Sequence, residues 1–265
     1  MATLLKLKAV ALFVLASLIS FTISAQIAEY QPFNAKKYNS PGYIIKKDDF
    51  KFHQLTVSVI RLQNNSTSAK DFSCRGWVLV FKNKTLVDSV YYAQMDANGG
   101  NTGLYVPQKQ PLAAYFMVTK LGDYDGQIIV IDSTGKIKTD VGGNILITPD
   151  KKYVYAEYST DIGFGLSVFN VSKNSFEFSC DTTPTLTGWF NVKGKTYGLI
   201  NADDAEDEEE DEEDAPEKTK KPKVQVLYYD EKQNRVAYTF LNPDLLTGEI
   251  KRVAYQNFDG GCCCE

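Results

Sequence analysis

Between Leu104 and Phe240 the apolar residues come in short runs, separated by clusters of Pro, Asp, Gly, Ser and Asn. Ile145 to Phe178 shows the pattern most clearly, dividing into NILIT (which starts one residue earlier), YVYAEYS, LSVFNV and SFEFS, with PDKK, TDIGFG and SKN between them. Runs of this length, rich in Val, Ile, Tyr and Phe and bounded by turn formers, predict four antiparallel strands. A helix is excluded, because Pro149, Gly163 and Gly165 would interrupt it and no apolar spacing of three and four spans the breaks. Tyr153 and Tyr155 alternate with Val154 and Ala156, so both faces of that strand are largely apolar. A sheet sandwiched between two others needs such a strand, and the aromatic residues are read as core.

The same grammar precedes this stretch in GLYVPQKQPLAAYFMVTKLGDYDGQIIVIDSTGKIKTD and follows it in GWFNVKGKTYGLI and KVQVLYYDEKQNRVAYTF. The third strands align as VIDSTGK from Val130, VFNVSKN from Val168 and LYYDEKQN from Leu227, at intervals of 38 and 59 residues. Removing an insertion of roughly 20 residues restores a period near 40, the repeat length of a four-stranded propeller blade. The expected fold is therefore all-β, a β-propeller-like array of four-stranded antiparallel blades within a single domain, residues 26–259. An earlier unit shows three strands, in Leu55 to Leu62, Gly76 to Asn83 and from Thr85. The lone final strand, Glu249 to Asp259, is expected to complete that first sheet and close the ring. Four blades are the direct count, and five follow if Tyr30 to Phe52 adds strands.

PDKKYVYAEYS with LSVFNVSKN, and VIDSTGK one unit earlier, resemble the YVTN-type repeats of secreted and surface bacterial β-propellers. Pro149, Asp150, Lys152, Tyr153, Val154 and Tyr155 match that family's turn and second strand, and Val130-Ile131-Asp132 its third. Lys151 stands where the family has a turn glycine, Glu157-Tyr158 replaces a threonine-asparagine pair, and Asn170 replaces an aspartate. The resemblance spans about residues 104–240 and implies a fold more than an activity, since members that bind ligands, polysaccharide or proteins share the repeat with a few hydrolases.

Residues 1–25 read as a signal peptide. Lys6 and Lys8 precede an apolar stretch from Ala9 to Phe21, which is too short to span a bilayer, and Ile23-Ser24-Ala25 suits cleavage before Gln26. Export to the periplasm or the extracellular space is expected, with no membrane insertion after cleavage. The net charge of −4 is misleading, because Asp203 to Asp214 holds eleven acids in twelve residues. Without that run, Glu217, the adjacent lysines and the signal lysines, 21 acids face 23 bases, and this near-neutral body offers no nucleic-acid footprint. Residues 202–223 read as an acidic disordered insertion and 260–265 as a flexible Cys-rich tail.

Chemistry is sparse. His53 is the only histidine, which excludes a multi-histidine zinc site, and neither GxSxG nor a phosphate-cradling GxxxxGK[ST] occurs. Turn carboxylates are the one route to catalysis, Asp123 and Asp125 in GDYDG, Asp150 in TPDKK and Asp161 in STDIG, and of these Asp123, Asp125 and Asp161 are the candidate binding residues. Each is also an ordinary turn former. Calcium is the one cofactor these acids suggest, and the acidic run lacks the ligand spacing of a calcium loop. Cys262, Cys263 and Cys264 are redox or soft-metal candidates, and no bridge between Cys74 and Cys180 is predicted. The functional expectation is a secreted, non-enzymatic binding or interaction propeller, its partner a protein, glycan or small molecule. The rival is a propeller-type hydrolase or lyase using turn carboxylates, with or without calcium.

Overall fold

A computed structural model describes residues 33, 42–64, 74–95, 103–121, 126–160, 163–201 and 223–255 of the chain. Four sheets follow one another along the chain, each an antiparallel meander of four consecutive strands. The first holds β1 (Tyr43–Phe52), β2 (Leu55–Asn64), β3 (Cys74–Lys82) and β4 (Thr85–Met95). The second holds β5 (Gly103–Tyr105), β6 (Tyr115–Leu121), β7 (Gly126–Asp132) and β8 (Ile137–Val141). The third comprises β9 (Asn144–Ile147), β10 (Tyr153–Thr160), β11 (Gly163–Asn170) and β12 (Ser175–Thr183). The fourth comprises β13 (Leu186–Val192), β14 (Lys195–Ile200), β15 (Val224–Asp230) and β16 (Arg235–Leu241). This is the expected array of four-stranded blades.

Alternation sets the packing. Leu104, Val118 and Ile129 meet Val57, Val78 and Val80 of the first sheet. Met117, Ile128 and Val130, on the other face of the same two strands, meet Val154, Ala156 and Phe169 of the third. Tyr155, Leu166 and Val168 then face Trp189, Ile200 and Leu227 of the fourth. Each inner sheet therefore buries both faces, the reason its strands lack a polar side. The crossing from β8 to β9 is tight: Gly142 has φ 126°, and a Cβ there would lie 2.5 Å from the Ala156 Cβ. Only glycine fits that approach.

The aligned third strands share a purpose. Asp132 Oδ1 accepts from the backbone N–H of Thr134 at 2.9 Å and of Lys136 at 3.2 Å, closing the hairpin that follows β7. Asn170 does the same for Ser172 and Lys173, both at 3.0 Å, and Asp230 for Lys232 at 2.9 Å. An amide oxygen accepts these bonds as a carboxylate does, so Asn170 replaces aspartate without loss of the turn.

Two expectations are corrected. The first sheet is completed by β1, which pairs along its length with β2, rather than by the C-terminal segment. β1 reads YIIKKDDFKF: Phe50 and Phe52 pack against Phe116 of the second sheet, and the rest of the strand is exposed or half-buried, so it needs no continuous apolar pattern. Tyr30 to Phe52 thus supplies a strand of the first sheet and not a fifth one.

Residues 248–255 instead form a strap over the leading strands of the other three sheets. Gly248 O accepts from Asn191 N at 2.8 Å, and Ile250 N donates to Trp189 O at 2.7 Å, both on β13. Val253 N donates to Ile145 O of β9 at 2.8 Å, and Ala254 O accepts from Gln108 N, beyond β5, at 2.8 Å. Glu157, fully buried on β10, receives the Trp189 indole N–H at 2.5 Å on one oxygen and the Arg252 guanidinium on the other. One carboxylate thereby joins the third sheet, the fourth sheet and the strap.

Candidate functional site

Asp123, Asp125 and Asp161 lie outside the described residues, as do Cys262, Cys263, Cys264 and residues 202–222 of the insertion. Leu199 of β14 does pair with Val226 of β15, so the insertion joins two neighbouring strands of one sheet, as its flanks predict. Cys74, buried at the head of β3, is disulfide-bonded, and Cys180 is half-buried on β12. His53 is a turn residue with φ 52°, its Nε2 3.0 Å from Ala113 O. Among the described residues no group of three or more His, Cys, Asp or Glu is placed to hold a metal ion.

Asp150 is the one sequence candidate in a described cleft. The cleft, of about 350 Å³, opens between the third and fourth sheets where the β9–β10 turn meets the β13–β14 and β15–β16 hairpins. Its walls are Tyr153, Tyr155 and Tyr229, with Thr148 and Thr196 beside them and Asp150 and Glu231 at the rim. Volume alone does not single it out, since a gap of about 310 Å³ lies between Phe50 and Phe52 of the first sheet and Leu112 and Phe116 of the second. The second gap is mainly apolar. The first combines aromatic walls with convergent polar groups, the usual make-up of a ligand site.

The tyrosines are positioned by strand parity. Tyr153 and Tyr155 occupy alternate positions of β10 and share the face turned to the fourth sheet with Tyr229. The Tyr153 and Tyr229 rings meet edge to face at 5.7 Å, and the Tyr155 ring leans on Trp189 at 4.9 Å. Rings so packed are fixed walls, and their hydroxyls point toward the opening between the sheets. Tyr229 donates to Asn234 Oδ1 at 2.6 Å. Burial pushes the Tyr153 hydroxyl well up, and its hydrogen bond to Glu231 pushes it further. Burial, then Glu177 and Glu231, push Tyr229 up to about 12. Tyr155 is also raised, chiefly by burial. All three therefore present neutral O–H groups at ordinary pH.

Asp150 is partly committed to its own turn. It accepts from Thr148 Oγ1 at 2.7 Å and Lys152 N at 3.1 Å, and although burial opposes ionisation, these bonds hold its carboxyl below the ordinary value. Lys152 Nζ lies 3.6 Å from its other oxygen. Tyr155 stands apart: the residue is 4% exposed, it lines the cleft, and its hydroxyl makes no hydrogen bond among the described residues. Sequence reasoning found Tyr153 and Tyr155 as core, which their rings are. That their hydroxyls border a cleft depends on how two sheets splay at one end, which no periodicity encodes.

No protein-family model matches the chain, and no curated protein matches it.

Proposed function

We infer that this chain is a non-enzymatic binding protein that takes its partner in the cleft between the third and fourth sheets. The observation that carries this reading is the Tyr155 hydroxyl, which belongs to a cleft-lining residue and has no hydrogen-bond partner among the described residues. The hydroxyl borders an open cleft, so it is available to a polar group of a molecule seated there. The cleft volume lies within the range of small-molecule and side-chain pockets. The resemblance to YVTN-type propellers agrees with this reading, since that family includes binding proteins. Export through the N-terminal segment belongs to the same reading, and the disulfide-bonded Cys74 suits an oxidising compartment. The hydrolase or lyase alternative has no comparable support, because Asp150, its one described turn carboxylate, is engaged by Thr148 and Lys152.

A panel of sugars, amino-acid amides, carboxylic acids and amines, screened by tyrosine-ring NMR, tests the reading. Ligands should shift Tyr153, Tyr155 and Tyr229 together. If no compound moves these rings while others perturb the Phe50 and Phe116 gap, the site has been misassigned.

A further inference from the structure

We propose that the cleft is selective for a positively charged nitrogen, the ammonium or guanidinium of an amine or of a lysine or arginine side chain; this rests on the reading of the cleft as the binding site. Four observations converge. The wall is aromatic, and tyrosine ring systems attract cations. The Tyr155 hydroxyl, at the cleft and without a hydrogen-bond partner among the described residues, keeps an oxygen lone pair available to an N–H donor. The charged side chains that bear on that hydroxyl are Glu231 and Asp150, and both are acidic.

The fourth observation concerns the lysines that could neutralise those acids. Lys195 and Lys232 border the cleft. Lys195 Nζ, however, sits 5.6 Å from the centroid of the Tyr228 ring. Tyr228 lines the same cleft, so Lys195 already sets one cation over a tyrosine ring there. Lys232 is exposed on the β15–β16 hairpin, where its backbone N–H closes the turn on Asp230. The chain thus engages Lys195 on the Tyr228 ring and Lys152 on Asp150 at 3.6 Å, while Glu231, hydrogen-bonded to Tyr153, makes no ion pair among the described residues. A cation entering the cleft would meet tyrosine side chains, the Tyr155 hydroxyl oxygen and the Glu231 carboxylate, whereas an anion would meet like charge.

The test uses the full chain and four probes of similar size: n-butylammonium, n-butylguanidinium, neutral 1-pentanol and pentanoate, titrated while the tyrosine-ring resonances are followed. The two cations should saturate shifts of Tyr153, Tyr155 and Tyr229, and pentanoate should not. Tyr155→Phe keeps the ring and removes the hydroxyl, and should weaken cation binding roughly tenfold, the usual weight of a charge-assisted hydrogen bond. Glu231→Gln, an exposed substitution that keeps an acceptor for the Tyr153 hydroxyl, should weaken it by several-fold and flatten its salt dependence. Acetylated, amidated Gly-Lys-Gly and Gly-Arg-Gly separate the sources: tighter binding than the free amine points to a side chain of a partner protein, weaker binding to a small amine. Equal binding of pentanol and butylammonium would overturn the selectivity while leaving the cleft as a binding site. Absence of any cation-dependent shift, with pentanol or a neutral member of the panel still bound, would do the same.

Discussion

Replacing Arg252 with methionine isolates the contact that ties the C-terminal strap to the sheets. The Glu157 side chain is 1% exposed and that of Arg252 is 47% exposed, so the substitution strands a buried carboxylate by removing a partner that water partly reaches. Breaking a fully buried pair costs about 3–5 kcal/mol, while exposed pairs contribute about 0–1 kcal/mol. The half-exposed guanidinium places this case between them, at about 2 kcal/mol. The Trp189 bond to the second oxygen survives, and methionine retains the packing of the arginine stem. For a domain of this size the loss corresponds to a fall of about 4–8 °C in Tm. Urea unfolding followed by tryptophan fluorescence measures it, since Trp189 donates to the same carboxylate. Adding Glu157→Gln should recover most of the loss, because the side-chain oxygen still accepts from Trp189 and no charge is left stranded. A coupling of at least 1 kcal/mol between the two substitutions is expected. If Arg252→Met costs less than about 0.5 kcal/mol, or the double variant is no better than the single, the strap is not anchored through Glu157.

Three further outcomes follow from named contacts. Bonds from Thr134 and Asn174 and from the backbone at Lys136 overcome the opposing effect of burial and hold Asp132 at about 2, against an ordinary 3.8. The site therefore contributes about 2 kcal/mol that is fully present above pH 4 and is lost as the pH falls through about 2. Asp132→Asn should remove that part of the acid dependence in pH-resolved unfolding; an unchanged profile would mean the carboxylate is not selectively stabilised. Lys151 sits at φ 59°, so Lys151→Gly should raise the urea midpoint by the equivalent of about 0.5–1 kcal/mol, and a fall would mean that the lysine side chain makes a contact worth more than the strain. Replacing residues 202–222 with a short Gly/Ser turn should leave the Tm within a few degrees, because β14 and β15 pair directly and loop-closure entropy changes slowly with length; a large loss would show that the insertion packs on the sheets.

What was legible in the sequence is what repeats. β6, β7, β9, β10, β11 and β15 coincide with apolar runs bounded by turn formers, and the alignment of Asp132, Asn170 and Asp230 marks one hairpin closure used three times. β1 escaped because its four central charges, Lys46, Lys47, Asp48 and Asp49, resemble a linker, although Phe50 and Phe52 at its end pack on Phe116 of the second sheet. The strap was recognised as extended chain and assigned the wrong neighbours. Its apolar residues, Ile250 and Val253, serve two different inter-sheet cores, and its backbone bonds reach three sheets, a division that local pattern does not record. The cleft was hidden for a related reason. Tyr153 and Tyr155 have the alternation of core residues, and only the splay of the third and fourth sheets turns their hydroxyl ends into a site.

The cleft assignment is tested most directly by crystals of the full chain soaked with the compound panel. The account predicts bound density between the β9–β10 turn and the β15–β16 hairpin, in contact with Tyr155 and with the Tyr153 and Tyr229 rings. Compounds bound reproducibly elsewhere, with that cleft empty across the panel, would contradict it.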